Sequence, residues 1–358
     1  MEIASFRPKL FALSNAKQRE AWRMFSSSRS APLDSSRLAG QWKEWYRCEH
    51  PQAGPLPSDE VLEFAFAARQ GSTETGRYGT VAWYPWRNQA ILLLEKEEFI
   101  QVRTNRNQRK IRQEEQISLS AKNVGVIGLS VGRSIALALS MERIAGKLHL
   151  ADSDQIELSN LNRMPCSLFE LGTSKLVSTA RAIAEVDPFI EVEVWPEGFR
   201  AENIGDFMEN LDLVVDACDG LQAKALLRMG ARDRRIPVVM ETNDRGLIDV
   251  ERYDLEETQD FLHGRVTAEQ MSELASGGSW SPEWLDAFVD LSEISPRAQE
   301  SLAEVGKTLA GWPQLHSDVA LGAGAAASTI RRLLLGEEIA DQRIRFDLNE
   351  QLSVAYTA

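Results

Sequence analysis

Short apolar runs alternate with helical periodicity in the middle of the chain. Val124–Gly128 and Lys147–Ala151 have the composition and length of two buried parallel strands. Between them, Ser134–Met141 repeats apolar residues at the spacing of a helix. This pattern predicts a βαβ unit, the building block of a nucleotide-binding sheet.

The alternation of strand and helix patterns continues beyond this unit. Further segments follow in chain order at Leu176–Ala184, Glu191–Trp195, Leu211–Ala217, Ala223–Arg232 and Pro237–Glu241. We therefore predict an α/β fold with a Rossmann-like, doubly wound, mostly parallel sheet. Parallel strands present ligand sites at their carboxyl ends, where this chain carries Asp152, Asp219 and Glu241.

Residues 1–115 lack this alternation and predict a small N-terminal α+β module. Asn15–Phe25 has a helical pattern, and Thr80–Trp86 and Ala90–Leu94 flank a turn, which predicts a β-hairpin. The module is rich in tryptophan. These side chains either pack the module onto the main domain or line a groove for a peptide or other partner. Packing is the simpler interpretation, because aromatic residues are enriched in cores as well as interfaces.

Residues 116–358 are expected to form the main domain. Within it, the acidic segment 251–317 has weak periodicity, and we expect a helical insertion made of several short helices. Asp318–Leu335 then recovers a clear helical pattern rich in small residues, and Ile344–Leu348 is a candidate for a last strand.

The composition narrows the class of protein. A formal net charge of −13 argues against general affinity for nucleic acid or for an anionic membrane surface. No apolar run approaches the roughly 20 residues of a membrane span, and the N-terminus lacks the apolar core of a signal peptide, so we expect a cytoplasmic protein. Three scattered cysteines exclude a four-cysteine zinc site and argue against a disulfide framework.

The turn after the first strand of the βαβ unit carries the first chemical signal. Gly128 and Gly132 place small residues where the backbone approaches a ligand closely. Asp152 follows about where a nucleotide-binding fold has the acid that binds ribose. Compared with the dinucleotide motif G-x-G-x-x-G, Ser130 replaces the second glycine and Arg133 the third. An arginine where helix and strand should touch disfavours a dehydrogenase.

Three later motifs indicate the kind of nucleotide chemistry. They are Asn160-Leu-Asn-Arg163, Lys175 and Asp216-Ala-Cys-Asp219, in that order. Together with the glycine turn and Asp152, this series resembles the ubiquitin-activating-enzyme-like superfamily of the ThiF/MoeB type. The glycine turn and Val238–Asp254 resemble a divergent bacterial branch of it that is often fused to a nitroreductase-like domain.

The resemblance implies an adenylyltransferase that uses ATP and Mg²⁺. Members of the superfamily activate a carboxylate, commonly the C-terminus of a protein or peptide, as an acyl adenylate with release of pyrophosphate. By resemblance, the nucleotide-binding residues are Gly128, Ser130, Gly132, Asp152, Asp154 and Asn160, and the catalytic residues are Arg163, Lys175, Asp219 and Arg106. Asp219 would also hold the metal.

A basic run, Arg103-Thr-Asn-Arg106-Asn, lies upstream of the first strand. On local evidence such a run is a solvated helix face. It also resembles a family motif whose later arginine reaches the ATP phosphates of the other subunit of a dimer. The resemblance therefore implies a homodimer in which Arg106 has this role.

The chemistry of these residues is consistent with adenylation on physical grounds. The carboxylate attacks the α-phosphate, so the charge of the triphosphate has to be neutralised by arginine, lysine and a metal held by an aspartate. Arg163 can donate bidentate hydrogen bonds to phosphate, and Lys175 supplies a compact positive charge. No general base is needed, because a carboxylate is already ionised at pH 7.

Several positions depart from the family pattern. Met164 replaces the usual glutamine, Gly220 stands where an asparagine often follows the metal-binding aspartate, and the zinc-binding CxxC pairs are absent. No cysteine occupies a thioester loop, so we expect adenylation without a thioester relay. Two alternatives stay open, an NAD(P)-dependent oxidoreductase and a catalytically inactive scaffold that binds nucleotide or peptide. The sequence does not identify the acyl substrate, and a nitroreductase-like partner is an expectation from the resemblance.

Overall fold

The computed structural model describes residues 5–52, 54–62, 77–255, 260–278 and 281–354. These residues fold into two compact units. The first unit runs to Glu114 and includes Ala184–Phe189, whereas the second comprises Glu115–Ile183 and the chain from Ile190 onwards. No described helix is both long and apolar enough to cross a lipid bilayer.

The first unit is an α+β module around a four-stranded sheet of order β1-β3-β4-β2. Its elements include the strands β1 (Lys9–Ala12), β2 (Leu33–Asp34), β3 (Thr80–Tyr84) and β4 (Gln89–Leu93) and the helices α1 (Ala16–Arg29), α2 (Leu38–Glu49) and α3 (Lys96–Thr104). Helix α1 begins after Asn15, whose side-chain oxygen accepts hydrogen bonds from the backbone amides of Lys17 and Gln18. Strands β3 and β4 pair in antiparallel orientation, which confirms the predicted hairpin.

Tryptophan side chains fill the core of the first unit. Trp42, Trp45 and Trp83 are buried in one hydrophobic cluster with Trp22 and Leu38. These side chains therefore pack the module itself. The sequence-based interpretation places these side chains against the main domain, whereas the described cluster that buries them belongs to the module.

The second unit is built on a seven-stranded sheet of order β11-β10-β9-β8-β5-β6-β7. The strands are β5 (Asn123–Ile127), β6 (Lys147–Ala151), β7 (Glu191–Trp195), β8 (Leu213–Asp216), β9 (Val238–Thr242), β10 (Leu247–Glu251) and β11 (Gln342–Arg345). Neighbouring strands from β9 to β7 pair in parallel, and β10 and β11 add an antiparallel edge. The Rossmann-like, mostly parallel sheet is confirmed.

The strand order has a functional consequence. Strand β5 lies between β6, which follows it in the chain, and β8, which comes later, so the direction of winding reverses between β5 and β8. Open α/β sheets bind ligands outside the carboxyl ends of the strands at such a switch point. The carboxyl ends of β5 and β8 lead into the glycine turn and into Asp216-Ala-Cys-Asp219.

Helices flank the sheet of the second unit. They include α4 (Gln113–Leu119), α5 (Val131–Glu142), α6 (Lys175–Val186), α7 (Ile204–Phe207), α8 (Leu221–Arg234), α9 (Phe261–Gly264), α10 (Ala268–Ala275), α11 (Pro282–Val289), α12 (Pro296–Leu302), α13 (His316–Leu334) and α14 (Leu348–Val354). Helices α4 and α6 run across the boundary between the units. Helices α9 to α12 lie within segment 251–317, where short helices were predicted. Helix α13 packs against α5 and β9.

Candidate active site

Two glycines bring the start of helix α5 against the sheet. Gly128 has a φ of +85°, and a Cβ there would lie 2.3 Å from the carbonyl oxygen of Ala217. A Cβ on Gly132 would lie 2.9 Å from the side chain of Val126. Neither position accepts a larger residue without displacement, and the turn is held at the switch point between β5 and β8.

Arg133 is not at the contact between helix and strand, and this part of the sequence argument against a dinucleotide is wrong. Gly132 makes that contact. The buried Arg133 guanidinium instead donates a hydrogen bond to Ser178 on α6 and approaches a Glu170 carboxylate oxygen at 3.5 Å. Burial raises the pKa of Glu170, but the hydroxyl of Ser178, the amide of Ser167 and the charge of Arg133 outweigh it and hold the pKa below its usual value.

The start of α5 offers hydrogen-bonding groups to a ligand. Ser130 is the residue before the helix, and its side chain makes no capping hydrogen bond. Its buried hydroxyl, like that of Ser134, has no hydrogen-bond partner in the described part of the chain. The first amides of a helix and nearby hydroxyls suit a phosphate group.

Asp152 joins the glycine turn to the acidic turn after β6. One carboxylate oxygen accepts a hydrogen bond from the Leu129 amide at 2.6 Å, and the other accepts one from the Asp154 amide at 2.7 Å. Burial raises the pKa of Asp152, although these two amides and Lys175 act against the shift. Each oxygen retains acceptor capacity, which is compatible with the predicted contact to ribose hydroxyls.

Lys175 and Asp154 form an ion pair with 2.9 Å between Nζ and Oδ2. The Lys175 amide also donates to the Asp154 carbonyl oxygen, and an isolated bridge pairs Gln155 with Ser174. The loop from Asp152 to Lys175 thus returns to its starting point. Lys175 is the first residue of α6, where a helix dipole disfavours a cation, so Asp154 offsets an unfavourable position.

Asn160 and Arg163 differ in how many of their polar side-chain atoms form hydrogen bonds with other residues of the chain. The buried Asn160 accepts a hydrogen bond from the Glu157 amide at 2.9 Å and closes a capping box. Arg163 donates from Nη1 to the Ser159 carbonyl oxygen and the Asn162 side chain, but its Nε has no partner among the described residues. Asn160 therefore shapes the loop, and Arg163 keeps a donor for a ligand.

The two aspartates after β8 are in opposite situations. Asp216 is fully buried and forms ion pairs with Lys224 at 2.9 Å and Arg228 at 2.7 Å. Burial alone would raise the pKa of Asp216, but these two cations hold it far below its usual value. Asp219 is exposed, and its carboxylate makes no hydrogen bond or ion pair within the described ranges.

Asp216 also shapes the turn that carries Asp219. Its Oδ1 accepts a hydrogen bond from the Cys218 amide at 3.3 Å. Sequence reasoning missed the roles of Lys224 and Arg228, although they are two basic residues four positions apart on a predicted helix, which places them on one face. That face is turned towards the buried end of β8.

The structure brings most of the predicted site residues to one edge of the sheet. Hydrogen bonds connect the glycine turn, Asp152, Asp154 and Lys175 in one series, and Asp219 follows the neighbouring strand β8. Arg106 lies in the first unit, in a single 3₁₀ turn after helix α3. Its side chain is exposed and makes no hydrogen bond or ion pair with the residues described here.

Comparison with known proteins gives a family match over the central part of the chain. Residues 103–243 match the ThiF family. The chain is 42% identical over 301 residues to an uncharacterized protein, MT1398, of Mycobacterium tuberculosis, which covers 83% of this chain and 40% of that relative. It is 36% identical over 114 residues to the adenylyltransferase and sulfurtransferase MOCS3 of Dictyostelium discoideum, over 31% of this chain and 27% of that one.

The chain spans less than half the length of these two curated relatives. Among solved structures, the Escherichia coli tRNA N6-threonylcarbamoyladenosine dehydratase TcdA is similar over 65% of this chain and 94% of its own, with 20% identity and a TM-score of 0.47. The resemblance drawn from the motifs is confirmed by the family match.

Proposed function

We propose that this chain is an ATP-dependent adenylyltransferase that activates a carboxylate as an acyl adenylate, because residues 103–243 match the ThiF family. The observation that carries the proposal is the contrast between the aspartates after β8. Asp216 is neutralised by the chain's own cations, whereas the exposed carboxylate of Asp219 makes no hydrogen bond or ion pair with a described residue. A free carboxylate at the switch point suits a triphosphate with its metal.

Mg²⁺ is the metal that this arrangement suits. Among the residues described here, no group of three or more His, Cys, Asp or Glu side chains could hold a metal ion by itself. Mg²⁺ needs no such group, since one or two carboxylates, waters and the substrate phosphates commonly hold it. Asp219 would hold it beside the triphosphate, where it would neutralise negative charge.

In the proposed reaction, an oxygen of the substrate carboxylate attacks the α-phosphorus of ATP, and the bond from that phosphorus to pyrophosphate breaks. Arg163 would bind the phosphates through its free Nε, and Lys175 would add a positive charge. For this, Lys175 would share its ion pair with Asp154 or leave it. Asp152 would bind the ribose hydroxyls, which fixes the nucleoside end.

We propose that no thioester step follows adenylation. A thioester relay needs a thiolate that can attack the acyl adenylate. Burial and the nearby Asp216 raise the pKa of Cys218 well above its usual value, and burial also raises that of Cys166. Both thiols therefore remain protonated at neutral pH.

We also propose that the active form is a homodimer. The loop between Asp152 and Lys175 exposes four large apolar side chains, Leu158, Leu168, Phe169 and Leu171, and Phe169 is 98% exposed. Exposed apolar patches of this kind mark interaction surfaces. A second copy is the proposed occupant, because Arg106 is exposed without a partner in the described chain and would then reach the phosphates bound to the other copy.

ATP–pyrophosphate exchange tests the proposed activity. It is measured with free amino acids and with peptides, each compared with its C-terminal amide. We expect exchange with free carboxylates alone, and a loss on the order of 100-fold in Asp219→Asn at an unchanged melting temperature, because Asp219 has no partner to lose. Asp206→Asn, another exposed aspartate of the second unit, is the control.

Two outcomes of this experiment would point elsewhere. Binding of ATP without exchange for any carboxylate would support the inactive scaffold. Binding of NADH, measured by calorimetry, without binding of ATP would support the oxidoreductase and contradict the proposal.

Mixing two inactive variants tests the shared site. Arg106→Ala and Asp219→Asn would each inactivate a homodimer, but a mixed dimer would keep one intact site if Arg106 acts across the interface. Equal mixing would then restore about a quarter of the wild-type exchange activity. No recovery after subunit exchange, verified by sedimentation, would contradict the trans role of Arg106.

Three expectations from the sequence remain predictions. They concern the carrier of the carboxylate, which is a protein or peptide C-terminus or a small acid, a nitroreductase-like partner and a cytoplasmic location. Capture of bound proteins from the native host under mild conditions would test the first two, and fractionation of the host cells would test the third.

A further inference from the structure

Glu241 is a buried carboxyl group without a partner at the edge of the sheet where the proposed site lies. It follows Met240, which pairs in register with Asp216 of β8. Glu241 is 5% exposed, and neither carboxyl oxygen has a hydrogen-bond partner in the part of the chain that the structure describes. Buried polar groups in proteins are nearly always bonded, so this exception requires an explanation.

Helix α13 is adapted to the Glu241 carboxyl. A Cβ on Gly322 would lie 2.0 Å from Oε1 of Glu241, so a larger residue there would displace the Glu241 carboxyl group. Gly324, two residues further along the same helix, has open space at the equivalent position. The contact is therefore specific to the turn of the helix that covers Glu241.

The charge that acts on Glu241 is negative, and no cation of the described residues forms an ion pair with it. Asp318 lies one turn before Gly322 on α13, and burial together with this charge raises the pKa of Glu241 to about 8. Within the described ranges, neither Glu241 nor Asp318 forms an ion pair. The side-chain oxygen of Asn243, two residues after Glu241, is also buried without a partner.

The start of α13 is bonded to the loop that carries Arg163. The Asn162 side chain donates a hydrogen bond of 2.7 Å to the Gln314 carbonyl oxygen. A ring nitrogen of His316 lies 3.2 Å from the Arg163 carbonyl oxygen. The start of α13, which carries Asp318, is thus bonded to the loop of a residue proposed to bind the phosphates.

We propose that Glu241 and Asp318 bind a positively charged nitrogen of the acyl substrate, so that the substrate is a zwitterion such as a free α-amino acid. This inference rests on the proposed adenylation of a carboxylate. An ammonium group provides three N–H donors and the charge that the acidic pair lacks. A neutral peptide amide provides one donor and no charge, so it could not stabilise the ionised form of Glu241.

ATP–pyrophosphate exchange separates these substrate classes. The probes are the twenty free amino acids and their N-acetyl derivatives, which keep the carboxylate but lack the cationic nitrogen. We expect at least one free amino acid to stimulate exchange at least tenfold more than its N-acetyl derivative. Equal stimulation by both forms, or stimulation by N-acetyl derivatives and peptides alone, would overturn the inference.

Two variants test the contact itself by different means. Glu241→Gln removes the ionisable carboxyl group at constant size, whereas Gly322→Ala keeps Glu241 but displaces its carboxyl group. For each we expect a KM for the amino acid at least tenfold higher and a KM for ATP within twofold of wild type. Gly324→Ala is the matched control and is expected to leave both values unchanged. An unchanged KM for the amino acid in Glu241→Gln would overturn the inference.

Calorimetry with Mg·ATP distinguishes failure of this inference from failure of the proposed function. ATP binding together with exchange driven by uncharged acyl substrates would leave the adenylyltransferase proposal intact and refute the role of Glu241. Absence of ATP binding would refute both.

Discussion

Strands β8 and β9 are neighbours, yet the acidic residues at their carboxyl ends differ in whether the chain provides them with counterions. Asp216 receives two cations from α8, and its carboxylate is neutralised inside the protein. Glu241 receives none from the described chain and stays protonated at neutral pH. The chain thus provides counterions for Asp216, a buried carboxylate with a structural role. It provides none for Glu241 among the described residues, and the proposed partner of Glu241 is the ammonium group of the substrate.

The largest expected effect concerns the pH dependence of stability at Glu241. Its pKa is raised by burial and by Asp318 to about 8 in the folded protein, whereas an unfolded glutamate titrates near 4.3. Between these values the folded state holds a proton that the unfolded state has lost, so stability falls as pH rises. Glu241→Gln removes this dependence and should stabilise the protein at pH 8, relative to pH 5, by up to about 4 kcal/mol.

Urea unfolding at the two pH values measures this effect. Glu209→Gln, an exposed glutamate of the same unit, is the control and should show no such difference. An equal effect of Glu241→Gln at pH 5 and pH 8 would mean that Glu241 is already ionised, and thus has a partner, in the folded state.

The second effect concerns the cations that serve Asp216. Arg228 is fully buried and forms ion pairs with both Asp216 and Glu251. The distance between its Nε and the Glu251 carboxylate is 2.8 Å. Arg228→Met would leave two buried carboxylates without this cation, which should reduce the free energy of unfolding by about 3–5 kcal/mol. Denaturant unfolding measures the loss.

Arg234→Met provides the comparison for Arg228. Arg234 lies on the same helix but is exposed, so its removal should change the free energy of unfolding by less than about 0.5 kcal/mol. Similar losses in both variants would show that the buried network around Asp216 contributes little beyond the helix itself.

The smallest effect concerns the two glycines of α13. Gly324→Ala should stabilise the helix by about 0.5–1 kcal/mol, because alanine is the better helix former and the site has open space. Gly322→Ala should destabilise the protein, because the added carbon meets the Glu241 carboxyl. Thermal unfolding of both variants checks the opposite signs, and equal signs would contradict the close contact.

The alternation of apolar runs and helical periods was sufficient to predict the βαβ unit and the parallel strands. These strands are buried on both faces, and their sequences carry that burial directly. The search for apolar runs did not predict β10, because the charged residues Asp249 and Glu251 are typical of an exposed strand. In the structure this strand is buried. Their partners, among them Arg228, His263 and Arg343, come from distant parts of the chain.

The site was predicted where a motif occupies consecutive positions. Asp152 and Lys175 could be assigned from the order of motifs along the chain, but the ion pair of Lys175 with Asp154 depends on how the loop folds back. The roles of Arg133 and Asp216 depend on which way each side chain points. A sequence without a structure does not contain that information in readable form.

Transfer of an oxygen atom from the substrate carboxylate to the nucleotide tests whether the chain is an adenylyltransferase. The carboxylate that best stimulates exchange is labelled with ¹⁸O, and the nucleotide released after turnover is analysed by mass spectrometry. If the carboxylate attacks the α-phosphorus, the label appears in AMP after the acyl group is transferred. Release of ADP, with ¹⁸O in inorganic phosphate, would mean attack at the γ-phosphorus and would contradict the adenylyltransferase account.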